Sequence, residues 1–152
     1  GAGAGTFLRQ IKSDVAQISG NELDIKLINE MNKFCDQTIQ GDFLSIDIPN
    51  SYDLVSAWHV LEHIENIDHF LDKVYGMVNK YFFIEIPTLK SYYTTTRTRK
   101  LISPTTNNWD GHVHYFSKQS LEIFLNKKFD IILMSEGIQS PSIFSIVSKK
   151  EA

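Results

Sequence analysis

The chain has 152 residues, of which 42% are hydrophobic and 22% charged, a composition that suits one globular domain with a buried core and excludes disordered and collagen-like classes. Its net charge of -3 gives no global field that would draw it to nucleic acid or to an anionic membrane. No stretch approaches the roughly 18 apolar residues that span a bilayer, the N-terminus lacks a signal-peptide pattern, and the lone Cys35 excludes a disulfide framework, so a cytoplasmic protein is expected.

The chain opens on Gly1-Ala2-Gly3-Ala4-Gly5, read as a loop, or alternatively as a flexible leader, before a helix over Thr6 to Lys12 that spaces Phe7, Leu8 and Ile11 on one side. Val15 to Ile18 is predicted as a short strand. Ser19-Gly20-Asn21-Glu22 has the form of a capping box and predicts a helix starting there, with Leu23, Leu27, Ile28, Met31 and Phe34 as its apolar face. Gln37 to Gln40 is the next strand candidate, Gly41-Asp42 and Pro49-Asn50-Ser51 are turns, and Asp53 to Trp58 is a strand that opens into a helix from about His59.

Asn66 or Asp68 is placed to cap a further helix carrying Phe70, Leu71, Val74, Tyr75 and Val78. Tyr81 to Ile86 is apolar on both faces apart from Glu85, as in a covered sheet, and Pro87 ends it. Lys90 to Asn108 has little periodicity and holds Arg97, Arg99 and Lys100, so residues 90–115 are read as a substrate loop or lid whose basic groups can meet a phosphate or carboxylate. Ser117 caps the last helix, with Phe116 and Leu121 as a hydrophobic staple, and strands over Phe129 to Met134 and Ile143 to Val147 close the chain as a hairpin. Strands alternating with helices predict an α/β fold built on a parallel sheet, in one domain spanning 1–152.

Ligands of open α/β sheets sit at the carboxyl ends of the strands, where this order puts the glycine loop, Asp42 with Phe43, and Trp58 with His59. Gly1, Gly3 and Gly5 allow close approach of backbone to a ligand. Asp42 can accept a hydrogen bond from an exocyclic amine, with the amide of Phe43 beside the ring, or can be a plain turn residue. His59-Val60-Leu61-Glu62-His63 fits the H-x-x-E-H pattern of zinc peptidases, and on a helix His59, Glu62 and His63 would share a face able to hold a divalent ion. Against that, Tyr52 to Trp58 is a strand where a peptidase needs a long helix, and no metal is expected.

Taken together, GAGAGTFL, QISGNEL, QGDFLSID, YDLVSAWHVLEHI, YFFIEIPT and HVHYFSKQSLEIFL resemble, in order, the motifs of class I S-adenosylmethionine-dependent methyltransferases of the small-molecule branch (type 11/23-like). The resemblance implies a Rossmann-like doubly wound, mostly parallel sheet with an antiparallel C-terminal edge hairpin. The opening strand of that family would precede Gly1, so the sequence is expected to be an N-terminally incomplete domain. It implies S-adenosylmethionine as cofactor, S-adenosylhomocysteine as product, and methyl transfer to an oxygen, nitrogen or carbon of a small-molecule acceptor, with neither nucleic acid nor membrane as partner.

On this resemblance Gly1, Gly3, Gly5, Asp42, Phe43, Trp58 and His59 bind the cofactor. The acid that grips the ribose hydroxyls has its best match at Gln17, which lacks the charge. In-line attack on a sulfonium methyl needs alignment and removal of one proton, so His59, His112 and His114 are the catalytic candidates, with His63 read as structural. A non-catalytic binding or scaffold protein of the same fold is the alternative, prompted by Gln17 and the absent strand. A nicotinamide-binding fold ranks lower, since G-x-G-x-G departs from G-x-G-x-x-G.

Overall fold

The computed structural model of the chain describes residues 1–48, 51–88, 111–137 and 142–150, and these divide into two compact units, Gly1–Ile48 and Pro49–Ala152.

In the first unit α1 (Thr6–Ile11), β1 (Ser19–Glu22), α2 (Ile25–Met31) and β2 (Gln37–Gln40) follow in chain order. β1 and β2 pair in parallel from Ser19 opposite Gln37 to Glu22 opposite Gln40. Ile18, Ile28 and Met31 form the buried core of the unit. Two expectations are corrected here. Val15 to Ile18 is not a strand, and Ser19 to Glu22 is a strand instead of a helix start. The helix begins at Ile25, capped by the Asp24 carboxylate, which accepts from the Lys26 N–H at 2.8 Å.

Packing overrode local pattern in that segment. Gly20 is a poor strand former, yet a Cβ there would stand 2.6 Å from Met31 Sδ and 3.1 Å from Leu8 Cδ1, so only glycine lets both side chains reach the backbone of β1. Asn21 then holds the strand ends together. Its side-chain N–H groups donate to the carbonyls of Ile39 at 3.0 Å and Gly41 at 2.9 Å, and its own carbonyl accepts from the Ala2 N–H at 2.8 Å.

The second unit contains β3 (Tyr52–Trp58), a 3-10 turn at Leu61–His63, α3 (Ile67–Met77), β4 (Val78–Pro87), α4 (Lys118–Leu125), β5 (Phe129–Glu136) and β6 (Ser142–Lys149). Its sheet has the order β3-β4-β6-β5. β3 and β4 are parallel, and β6 runs against both β4 and β5, which realises the expected antiparallel C-terminal hairpin. Alternation along β4 sends Phe82, Ile84 and Ile86, all fully buried, to one face. There the Phe82 ring meets Phe70 of α3 and Phe129 of β5, with centroids 6.4 and 5.7 Å away. Phe83 and Glu85 take the opposite face, where the Phe83 ring lies 4.5 Å from that of Trp58.

Asn66 caps α3 by accepting from the His69 N–H at 3.0 Å. Ser117 caps α4 in a reciprocal box with Ser120, and the staple residues Phe116 and Leu121 are buried. The predicted helix from His59 does not form, since one 3-10 turn replaces it. Among the described residues no helix is long and apolar enough to cross a membrane. Residues 90–110, with Arg97, Arg99 and Lys100, and the Pro49-Asn50 part of a predicted turn lie outside the described residues.

Candidate functional site

In the first unit the glycine loop turns into α1 through two left-handed residues, Gly3 at φ 58° and Gly5 at φ 72°. They are glycines for different reasons. A Cβ on Gly5 would come within 2.7 Å of Phe34 Cζ and 2.9 Å of Met31 Cγ, whereas one on Gly3 would meet nothing within 4 Å. Gly5 is therefore fixed by packing, and Gly3 fronts open space. The Gly3 N–H donates to Glu22 Oε2 at 2.8 Å, while the Leu23 and Asp24 N–H groups donate to Oε1 at 2.8 and 3.3 Å.

Glu22 thus stands at the carboxyl end of β1, against the glycine loop. Burial by itself would raise the pKa of its carboxyl, but the N–H donors of Gly3, Leu23 and Asp24 outweigh that and hold it below the usual value. The acid predicted to be missing from the end of this strand is present. Gln17 lies before β1 and is exposed, so it does not stand at the end of that strand. The misreading has a specific origin: Ser19 with Glu22 fits a capping box as well as a strand ending in an acid, and Gly20-Asn21 weakens the strand signal. Placing the N-cap at Asp24 would have resolved it.

Asp42 follows Gly41, whose φ is 133°, and begins a turn in which the Ser45 and Ile46 N–H groups donate to its carbonyl at 3.0 and 3.1 Å. Its carboxylate accepts from Ser45 Oγ at 2.5 Å, so the turn reading holds for the backbone while the exposed side chain stays at the rim of β2. Phe43 is the next residue of that turn and is half-buried.

In the second unit the strand-to-turn junction brings His59, Glu62 and His63 together. His59 adopts φ 52°, the one described non-glycine residue with positive φ, and its N–H continues the β3–β4 ladder by donating to the Glu85 carbonyl at 2.8 Å. That conformation swings its half-exposed ring between two carboxylates, with Nδ1 3.4 Å from Glu62 Oε1 and Nε2 3.5 Å from Glu85 Oε1. Glu62 first, opposed by burial and reinforced by Glu85, raises the imidazole pKa above its ordinary value. A left-handed His59 followed by the single 3-10 turn Leu61–His63, in place of a helix, also removes the zinc-peptidase geometry, which needs both histidines on consecutive turns of one helix.

Glu62 is 1% exposed, and the backbone around it is tied to the segment before α4. The Val113 and His114 N–H groups both donate to the Glu62 carbonyl, at 2.9 and 3.1 Å. His63 Nδ1 donates to the Gly111 carbonyl at 3.0 Å, and the His63 and His112 rings meet edge to face with centroids 4.8 Å apart. His112 and His114 go separate ways. His112 turns to Glu62, at 4.0 Å, and His114 Nε2 lies 3.3 Å from the Glu65 carbonyl, where it fastens the segment. Trp58 packs on Phe83 as the last residue of β3.

Residues 1–133 match the family model described as a methyltransferase domain. No curated protein sequence matches the chain. Among solved structures, magnesium protoporphyrin IX methyltransferase (ChlM) from Synechocystis PCC 6803 with bound SAH is similar with a TM-score of 0.76 at 14% identity, over 99% of this chain and 72% of that one. A S-adenosylmethionine-dependent methyltransferase from Clostridium acetobutylicum ATCC 824 gives 0.73 at 13% identity, over 99% and 82%. N-methyltransferase NodS from Bradyrhizobium japonicum WM9 gives 0.70 at 13% identity, over 99% and 83%. At these identities the likeness is one of fold.

Proposed function

Because the chain belongs to the methyltransferase domain family, we propose that it transfers the methyl group of S-adenosylmethionine to an oxygen, nitrogen or carbon of a small-molecule acceptor. The observation that carries this reading is Glu22 at the end of β1, its carboxylate hydrogen-bonded to the glycine loop. An acid in that place supplies the charge that a pair of ribose hydroxyls needs, and the open space before Gly3 is room a side chain would have filled. The residues present therefore fit the cofactor.

In the first unit Gly1, Gly3 and Gly5 offer close-approach backbone, Glu22 accepts from the ribose, and Asp42 with the Phe43 amide meets the adenine. In the second unit the proposed contribution is Trp58 and His59 at the end of β3. When bound, the cofactor supplies an activated sulfonium methyl, and the protein aligns the acceptor and removes a proton. We assign that proton removal to His59, whose ring is oriented by Glu62 and Glu85, so that the imidazolium formed faces two carboxylates. His112 and His114, on the segment fastened to Glu62, border the acceptor. The whole chain is read as one methyltransferase domain working in the cytoplasm.

The test is thermal unfolding of the full chain with and without S-adenosylhomocysteine, since a ligand that binds only the folded state raises the midpoint. A concentration-dependent rise supports the reading. A folded chain whose midpoint does not move at millimolar ligand favours the alternative, a non-catalytic protein of the same fold.

A further inference from the structure

We propose that Glu62, His63 and His112 bind one divalent transition-metal ion. A carboxylate oxygen of Glu62 and one ring nitrogen each of His63 and His112 lie within 4.8 Å of one another, close enough for small side-chain movements to place all three around a single ion. The second unit alone builds this cluster.

The carboxylate of Glu62 is the feature that demands an occupant. It is 1% exposed, and neither of its oxygens receives a hydrogen bond from the described residues. A buried carboxylate is costly, and the partners it has are imidazoles at long range, His59 Nδ1 at 3.4 Å and His112 Nε2 at 4.0 Å. A cation held by Glu62, His63 and His112 offsets that cost.

The histidine on the other side is already set for coordination. Because His63 Nδ1 donates to the Gly111 carbonyl, its lone pair is on Nε2. Metal-binding histidines are held in this way, with the far ring nitrogen bonded to a carbonyl that fixes tautomer and orientation. The two segments that carry the ligands are also joined by backbone hydrogen bonds, from Val113 and His114 to the Glu62 carbonyl, so the site is organised before an ion arrives.

Two imidazoles and one carboxylate suit zinc, cobalt or manganese better than magnesium or calcium, and three protein ligands leave coordination positions open. Where the methyl-transfer reading holds, an acceptor hydroxyl can take an open position and ionise more readily there. That consequence rests on the proposed function, whereas the site itself does not.

The experiment is calorimetric titration of the chelator-treated full chain with zinc and with cobalt at neutral pH, repeated for His63→Gln and His112→Gln, with His114→Gln as control. The expected result is about one ion per chain, a visible cobalt absorption band, and affinity at least about 10-fold weaker in the His63 and His112 variants but unchanged in the control. Metal-free thermal midpoints show that each variant folds. Absence of stoichiometric binding, or binding indifferent to both His63 and His112, overturns the proposal, as does a Glu62→Gln chain that binds the ion like the parent. S-adenosylhomocysteine binding is measured in parallel: its loss with metal binding intact removes the methyltransferase reading and leaves this site standing.

Discussion

Glu22 shows how much one carboxylate decides. Its three N–H partners are backbone groups of the loop and of the turn into α2, so the side chain serves the fold as well as a ligand. Glu22→Gln is expected to weaken S-adenosylhomocysteine by about 10-fold or more in calorimetry, the worth of a charged hydrogen bond, whereas Gln17→Ala leaves it unchanged. The same residue sets a pH dependence. Its folded pKa lies below the unfolded one, so its contribution is present above the unfolded pKa and is lost as pH falls through the folded value. Urea denaturation of Glu22→Gln between about pH 7 and about pH 3 should therefore show a shallower acid loss of stability than the parent. Gly5→Ala combines a left-handed backbone with contact on Phe34 and Met31, and should lower stability by roughly 1–3 kcal/mol in the same assay. His59 also sits in the left-handed region, which asparagine tolerates, so His59→Asn should fold normally while methyl transfer falls about 100-fold or more in a radiolabel assay.

Elements were legible where periodicity and caps agreed. Gln37–Gln40, the strand into Trp58, the helix after Asn66 and the helix after Ser117 all appear where their patterns put them. The Ser117 box joins two serines through both backbone and side-chain bonds, and Ser117→Ala should cost α4 about 1 kcal/mol, measurable as a lower urea midpoint. Elements failed where a short pattern admitted two structures. Ser19 to Glu22 looked like a cap because its strand character comes from pairing with β2, a contact that local sequence does not contain. His59 to His63 has helical spacing, yet the His59 N–H is claimed by the Glu85 carbonyl of β4, which holds the chain in the ladder one residue longer and leaves room for a single turn. The glycines and histidines of the proposed site were named from the sequence. The position of Glu22 was hidden by the shifted strand, and that of Glu85 beside His59 was invisible, because β3 and β4 come together only in the folded sheet.

At the scale of the molecule, the family was readable from the order of several weak motifs, each insufficient alone. The sheet of the second unit depends on fully buried aromatic packing, and Phe82→Ala, which empties the space between Phe70 and Phe129, should lower stability by about 3–5 kcal/mol and abolish cooperative unfolding of that unit, as seen by fluorescence of its tryptophans. One property of that sheet comes from strand order alone. β6 is made after β5, yet it lies between β4 and β5, so neither neighbour is hydrogen-bonded to the other. During synthesis β5 leaves the ribosome before the strand it pairs with, and β4 waits 67 residues for β6, from Tyr81 to Ser148. The sheet can close only after Ser142–Lys149 has emerged, which makes a nascent chain halted before Ser142 a client for chaperones, with open strand edges exposed.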